Sequence, residues 1–283
     1  MHKLNPMKKL SLLLFALLLL ATACKKEKIN DKAEVPTIPV NAINGLFTIN
    51  ENGDQVYFSK GNLQYQASTN TWRFAEKQWD YIGNDNSNVS TTYDGWIDLF
   101  GWGTGWNPTL ISTNNRDYDM FYDWGYNLII NGGNEPNTWR TLTLNEWKYI
   151  FYTRSTNSNI RYARATVNDI KGLILLPDNW NESIYMLNDV NTYASDFDSN
   201  IISLTEWLNT FEANGVIFLS NAGRREADSV NYVGSQAHYW SSTPHRDPSM
   251  AYYVFVYNTG LHADMNYYRY YGRCVRLVQD VDN

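Results

Sequence analysis

Cysteine is almost absent from this 283-residue chain, which holds only Cys24 and Cys274. With Cys24 in a leader-like stretch, an internal disulfide and a Cys-based zinc site are both excluded. Histidine is scarce too, four in all, and shows no metal-ligand spacing, so no metal and no cofactor is expected. Basic charge is short: 23 Lys and Arg face 29 Asp and Glu, for a net charge of −6. No Arg- or Lys-rich helix or patch occurs, which argues against nucleic acid. What the chain does have is aromatic residues, 11 Trp, 21 Tyr and 11 Phe, set among Asn, Thr, Ser and Gly with short apolar segments. Such a composition supplies core area and predicts many short strands and loops with few helices.

The first residues read as a leader. Lys8-Lys9 precede the apolar run Leu10 to Leu20, too short for a comfortable transmembrane helix, and Ala21-Thr22-Ala23-Cys24 follow. Small residues before a cysteine resemble a bacterial lipobox, with Ala21 where Leu is usual. That resemblance implies a signal peptide over residues 1–23 and lipidation of Cys24, which would carry the chain to a membrane. A plain secretory signal or an uncleaved anchor is the alternative. Removing residues 1–23 takes away Lys3, Lys8 and Lys9 and no acid, leaving 20 basic and 29 acidic residues, net −9. Residues 24–44, with Pro36 and Pro39 and little to bury, read as a tether. Its opening Lys25-Lys26-Glu27-Lys28 looks like the export signals of Bacteroidota surface lipoproteins, which implies an outer-membrane, surface-exposed protein. One large domain is then expected over residues 45–279.

Within the domain the local signals are clear. Gly45–Ile49 and Gln55–Ser59 flank an Asn-Gly turn and predict a hairpin. Asn62–Gln66 and Thr71–Phe74 predict a second. Gly101-Trp102-Gly103-Thr104-Gly105-Trp106 has the glycine density of a phosphate loop without the Lys-Ser/Thr that would follow, and reads as an irregular aromatic loop. Thr143 with Glu146 is a capping box that starts a helix running to Arg154, with Trp147, Ile150 and Phe151 as its apolar stripe. Ser203 with Glu206 is a second capping box, with Trp207, Leu208 and Phe211 buried and Asn214-Gly215 as the stop. Leu173–Leu176 and Val216–Leu219 read as buried strands.

The segment from Gln236 to Val278 is the candidate functional stretch. Alternation in Ala251–Tyr257 sets Val254 and Val256 on one strand face and Tyr253, Phe255 and Tyr257 on the other. Asn258-Thr259-Gly260 is a turn signal. The closing strand, Cys274 to Val278, is expected to pair with Ala251–Tyr257, with the run Tyr267 to Tyr271 in the connection between them. Tyr offers a large rigid face with a polar tip, and Asn is an adaptable hydrogen-bonder, so the candidate ligand contacts are Tyr253, Phe255 and Tyr257 on the strand and Asn258, His262, Asp264, Asn266, Tyr267, Tyr268, Tyr270 and Tyr271 in loops.

Several motifs occur in order: Trp139-Arg140-Thr141-Leu142-Thr143 with Glu146-Trp147, Leu176-Pro177-Asp178-Asn179-Trp180, Phe218-Leu219-Ser220-Asn221-Ala222-Gly223, Tyr239-Trp240-Ser241-Ser242, and Gly272-Arg273-Cys274-Val275-Arg276-Leu277. Together they resemble the C-type lectin-like fold, in the branch shared by formylglycine-generating-enzyme-like domains and Bacteroidota surface lipoproteins. The resemblance implies an α+β domain of short antiparallel strands, two main helices and long aromatic-rich loops. The segment 236–278 is similar to the variable region of retroelement-diversified proteins, whose mutated AAY codons yield Asn, Tyr, Asp, His and Ser on a ligand-binding face. This implies display of a binding surface for an extracellular protein or glycan rather than catalysis.

Other readings carry less. A fixed adhesin or structural surface component fits the same features. The related sulfatase-activating enzymes use two cysteines where this chain has Cys274 alone. Ser241 or Ser242 with His245 and Asp247 are hydrolase residue types, but no Gly-x-Ser-x-Gly elbow holds them. Asp94, Asp98 and Glu135 have nothing in the sequence to bring them together. Glu135-Pro136-Asn137 matches the sugar-selecting triplet of calcium-dependent lectins, but no second oxygen-ligand cluster accompanies it.

Overall fold

The structure is a computed structural model, and residues 37–281 are described. The leader, Cys24 and most of the tether lie outside the described residues. Among those described, the chain forms sixteen strands and two short α-helices. The first group is β1 (Phe47–Thr48), β2 (Gln55–Phe58), β3 (Leu63–Gln66), β4 (Thr71–Phe74), β5 (Trp96–Ile97) and β6 (Arg140–Thr141). After α1 (Leu144–Lys148) come β7 (Tyr162–Val167), β8 (Ile170–Leu175) and β9 (Ile201–Ile202), then α2 (Leu204–Glu206). The last group is β10 (Ile217–Ser220), β11 (Arg224–Glu226), β12 (Ser229–Asn231), β13 (Ala237–Pro244), β14 (Met250–Tyr257), β15 (Gly260–Tyr268) and β16 (Leu277–Asp280). The domain is thus α+β, rich in sheet and poor in helix.

Five small sheets result, ordered β1-β2-β16-β6, β10-β8-β7-β9, β11-β12, β13-β14-β15 and β4-β3-β5. All strand pairs are antiparallel except β7 with β9. Both hairpins read from the sequence form, with Phe47 opposite Val56 and Leu63 opposite Phe74. Both capping boxes close as well: Thr143 accepts from the Glu146 amide and Ser203 from the Glu206 amide, each glutamate answering the cap's own N–H. Each box satisfies N–H groups that have no intrahelical partner. Beyond these short α-turns the backbone widens into π-helical turns at Tyr149–Thr153 and Trp207–Phe211. Trp147, Ile150, Phe151, Trp207 and Phe211 are fully buried. Leu208 is not; it is 37% exposed, because the π-turn rotates it off the apolar stripe.

Two expectations about the ends of the domain need correction. The tether does not extend to residue 44: Ile43 is buried in the main apolar core, Ala42 bridges Ser59, and the Asn41 amide donates to the Asn131 carbonyl. The closing strand does not pair with β14. β16 instead lies between β2 and β6, with Val278 opposite Phe58 and Leu277 opposite Thr141. A pairing across that separation has no local sequence signal.

Candidate ligand-binding face

The site is built on β13, β14 and β15. Their register sets His238 opposite Phe255 and Trp240 opposite Tyr253, then Tyr253 opposite Met265 and Phe255 opposite His262. Opposed residues share a face. One face therefore carries Ala237, Tyr239, Val254, Val256 and Leu261, all buried in the core that contains Trp147 of α1. The other carries His238, Trp240, Tyr253, Phe255, Tyr257, His262 and Met265.

A bulge makes the second face possible. Val254 stands alone between Tyr253 and Phe255, while β15 places both Ala263 and Asp264 between Met265 and His262. The extra residue returns His262 to the face of Met265, three positions on, which strict alternation would forbid. Ala263 goes into the core, its amide held by the Tyr152 hydroxyl, and Asp264 is turned out to solvent. Gly260 has a steric duty at the hairpin end: a Cβ there would stand 2.6 Å from the Tyr257 ring.

The rings on this face form one continuous chain of contacts. His238 stacks on Phe255 at 4.7 Å and Phe255 on Tyr257 at 4.6 Å, with interplanar angles of 18° and 17°. His262 lies parallel to both at 6.4 and 6.3 Å. Tyr193, from a loop far upstream and 55% exposed, sets its hydroxyl 2.7 Å from His262 Nε2. At the other end Arg273 lies over Tyr253 at 3.8 Å and Trp240 at 4.2 Å, with Tyr271 at 5.4 Å. Arg224 then sits over Tyr271 at 4.7 Å and Tyr232 at 5.2 Å. Tyr267, Tyr268, Tyr270 and Tyr271 pack edge and face against each other at 4.9–5.6 Å.

The backbone after β15 fixes the two arginines. Arg225 and Gly272 exchange backbone hydrogen bonds, as do Phe100 and Arg273, and Cys274 bridges Tyr239 beside β13. Glycine is required at 272, since a Cβ would stand 2.8 Å from the Leu99 carbonyl oxygen. Arg273 is fully buried, and none of its three guanidinium nitrogens has a hydrogen-bond partner. Burial lowers its pKa to about 10, opposed mainly by Tyr253. His238 is buried too, with Nε2 3.0 Å from Gln236 Oε1 and Nδ1 unpartnered. Burial, then the Arg273 and Arg224 charges, hold its pKa well below the usual histidine value, so it is a neutral imidazole at physiological pH.

The structure sorts the expected contact residues. Phe255, Tyr257 and His262 are half-buried on the aromatic face, Asn258 is exposed at the turn, and Tyr268 and Tyr270 are half-buried beside the more open Tyr267. Tyr253 and Tyr271 are corrections: each is 4% exposed, and an arginine stacked on the ring hides it from solvent. Tyr267 and Tyr268 end β15 rather than forming a connection, and His262, Asp264 and Asn266 also lie on that strand, not in loops. Asn266 pairs with Tyr252, which puts it on the face of Val254, away from the ring chain. Reading the sequence missed Tyr193, Arg224, Tyr232 and Arg273. Among the rings, only His238 had a local signal, two positions before Trp240 on the same strand face.

Elsewhere the candidate chemistry is already engaged. The Ser241 hydroxyl donates to the Tyr252 carbonyl, and His245 Nδ1 accepts from the Asp247 amide. Asp98 is fully buried and accepts from Asn86 and the Ile82 amide; burial raises its pKa to about 6 against those bonds. Glu135 lines a cleft of about 530 Å3 with Pro39, Gly132, Thr138 and Asp280. Burial pushes the Cys274 thiol well up. Trp106, Met120, Tyr126 and Ile130 are also exposed, along residues 104–130. No helix among the described residues is long and apolar enough to cross a membrane. Compared with known proteins, the chain matches no family model, no curated protein and no solved structure.

Proposed function

We propose that this chain is a lipid-anchored, surface-exposed binding protein that presents an aromatic face on a C-type lectin-like domain. The observation that carries the reading is the ring chain from Tyr193 to Tyr232 on a three-stranded sheet: its middle, at Trp240 and Tyr253, is packed into a second core, and its two ends, at Tyr257 with His262 and at Tyr232, are open to solvent. Ordered rings already packed by their neighbours lose little freedom when a ligand settles on them, which favours affinity. The lectin-like reading is supported by where its motifs fall. Trp139 donates to the Gly132 carbonyl, Asp178 ties Thr48, Gln55 and Arg154, Trp240 donates to the Phe100 carbonyl, and Arg273 and Arg276 are buried.

The ring planes favour a protein ligand over a sugar. His238, Phe255, Tyr257 and His262 stand nearly parallel and cover one another's faces. Phe255, Tyr257 and His262 are half-buried with faces turned to one another, so they offer edges to a ligand, whereas a pyranose stacks on an open ring face. Diversification of the segment fits the surface positions Asn258, His262, Asp264, Tyr267, Tyr268 and Tyr270. It does not fit Tyr253 or Tyr271, where a small polar residue would leave a hole beneath an arginine.

A selection from a random peptide library against the full chain tests the reading. Bound peptides should lose about tenfold in affinity, the worth of one good contact, to Tyr257→Ser and to Phe255→Ser. They should be indifferent to Ile201→Ser, a remote exposed site on β9. Binders insensitive to both face variants would overturn it.

A further inference from the structure

Among the described residues, neither arginine at the Tyr271 end of the face, Arg224 or Arg273, is in an ion pair. Ion pairs among the described residues join Arg140 to Glu146 and Asp280, Arg154 to Asp178, and Lys171 to Asp198. Arg224 Nε and all three Arg273 nitrogens are buried without hydrogen-bond partners. The two arginines meet through one ring, with Tyr271 between Arg224 and Arg273. Among the described residues, Glu226 is the one carboxylate that lies against Tyr271. A buried donor left unpaired costs free energy, and a buried charge costs more. In a chain whose net charge is −6, a concentration of unpaired positive charge beside a binding face needs a reason.

The half-buried Arg224 is the way in. It reaches solvent beside Tyr232, which is 48% exposed, while Arg273 stays behind the rings. Aromatic edges carry the positive end of the ring quadrupole, so the array of Phe255, Tyr257 and His262 also favours acceptor oxygens over donors.

We propose that the ligand of this face is an acidic peptide segment, one carboxylate of which pairs with the Arg224 guanidinium between the Tyr232 and Tyr271 rings while Arg273 adds a second positive charge from beneath. This rests on the surface reading above and adds the ligand's chemistry to it. An acidic peptide is favoured over a sulfated glycan for the reason already given: the rings offer edges, along which a backbone with carbonyl and carboxylate oxygens can lie, and few open faces for sugars.

The test uses the full chain with three probes: a deca-glutamate peptide, a deca-lysine peptide and a heparin-type sulfated polysaccharide. Deca-glutamate should bind and deca-lysine should not, and binding should weaken as salt is raised. Arg224→Gln should weaken it by about tenfold or more, the loss expected for one charge-assisted hydrogen-bonded pair, with Arg224→Lys retaining part and both variants still folded, as shown by a cooperative thermal transition. Deca-glutamate binding that ignores Arg224→Gln overturns the proposal. So does binding of the sulfated polysaccharide alone. If library-selected peptides still depend on Tyr257 yet are not acidic and ignore Arg224, the anionic assignment fails while the surface reading stands. If no ligand depends on Tyr257 or Phe255, the surface reading itself fails.

Discussion

Arg273→Met separates what the buried guanidinium does for the fold from what it does for the face. Arg273 is fully buried, and its pKa falls from 12.5 to about 10 because burial penalises the charged form. A depressed pKa on a base means that carrying the charge costs stability at every pH below about 10, relieved as pH rises from there towards the unfolded value. At about 1.4 kcal/mol per unit this is roughly 3 kcal/mol at neutral pH. Against it stand the cation–π contacts with Trp240 and Tyr253 at 4.2 and 3.8 Å, each worth about 1–2 kcal/mol when desolvated. The two nearly cancel. Methionine keeps the stem's packing volume and carries no charge, so Arg273→Met should leave stability unchanged or raise it by up to about 2 kcal/mol. For a domain of this size that is a rise in melting temperature of up to about 6 °C. Arg273→Ala is the control and should cost roughly 2–4 kcal/mol by opening a cavity. Urea unfolding of the three proteins measures both. If Arg273→Met loses more than about 2 kcal/mol, the charge is part of the fold's stability and the cancellation argued here is wrong.

Other expectations follow from the same structure. Asp98 has a folded-state pKa raised from 3.8 to about 6, so its contribution is full below about pH 4 and is lost as pH rises through 6, a loss of roughly 3 kcal/mol. Asp98→Asn should flatten that part of the stability profile, and identical slopes in the two proteins would contradict the burial argument. Trp240→Ala should cost about 3–5 kcal/mol in urea unfolding, because the ring is 1% exposed and donates to the Phe100 carbonyl at 2.7 Å. Replacing Tyr267, Tyr268 and Tyr270 together by Ser should move the melting temperature by only a few degrees, about the sum of small surface effects. Tyr271→Ser alone should cost about 3 kcal/mol, since its ring is buried among Tyr267, Tyr270 and two arginines; calorimetry ranks the two variants.

What was legible in the sequence was local. A capping box puts its partners three residues apart, and the Asn-Gly turn joins strands next to each other in the chain, so α1, α2 and the first hairpins could be read directly. The alternation of β14 could be read for the same reason. β15 could not. Its bulge at Ala263 and Asp264 breaks the period of two, and polar residues fall on both its faces, so a nine-residue strand looked like a loop. The partner of β16 lies some 220 positions upstream and leaves no local mark. The site was half visible: Phe255 and Tyr257 followed from alternation, but Tyr193 arrives from a separate loop. The burial of Tyr253 and Tyr271 was hidden because arginine guanidinium planes cover them, and a sequence pattern counts Arg as a surface residue.

The most direct test of the binding face is where a ligand lands. Hydrogen exchange of the full chain, with and without a library-selected peptide at saturation, gives that location. Protection concentrated in residues 250–271, with the loop around Tyr193 and the β11–β12 hairpin, is the predicted result. Protection along residues 104–130 instead, over exposed Trp106, Met120 and Tyr126, with β14 and β15 unchanged, would contradict it and move the binding site to that loop.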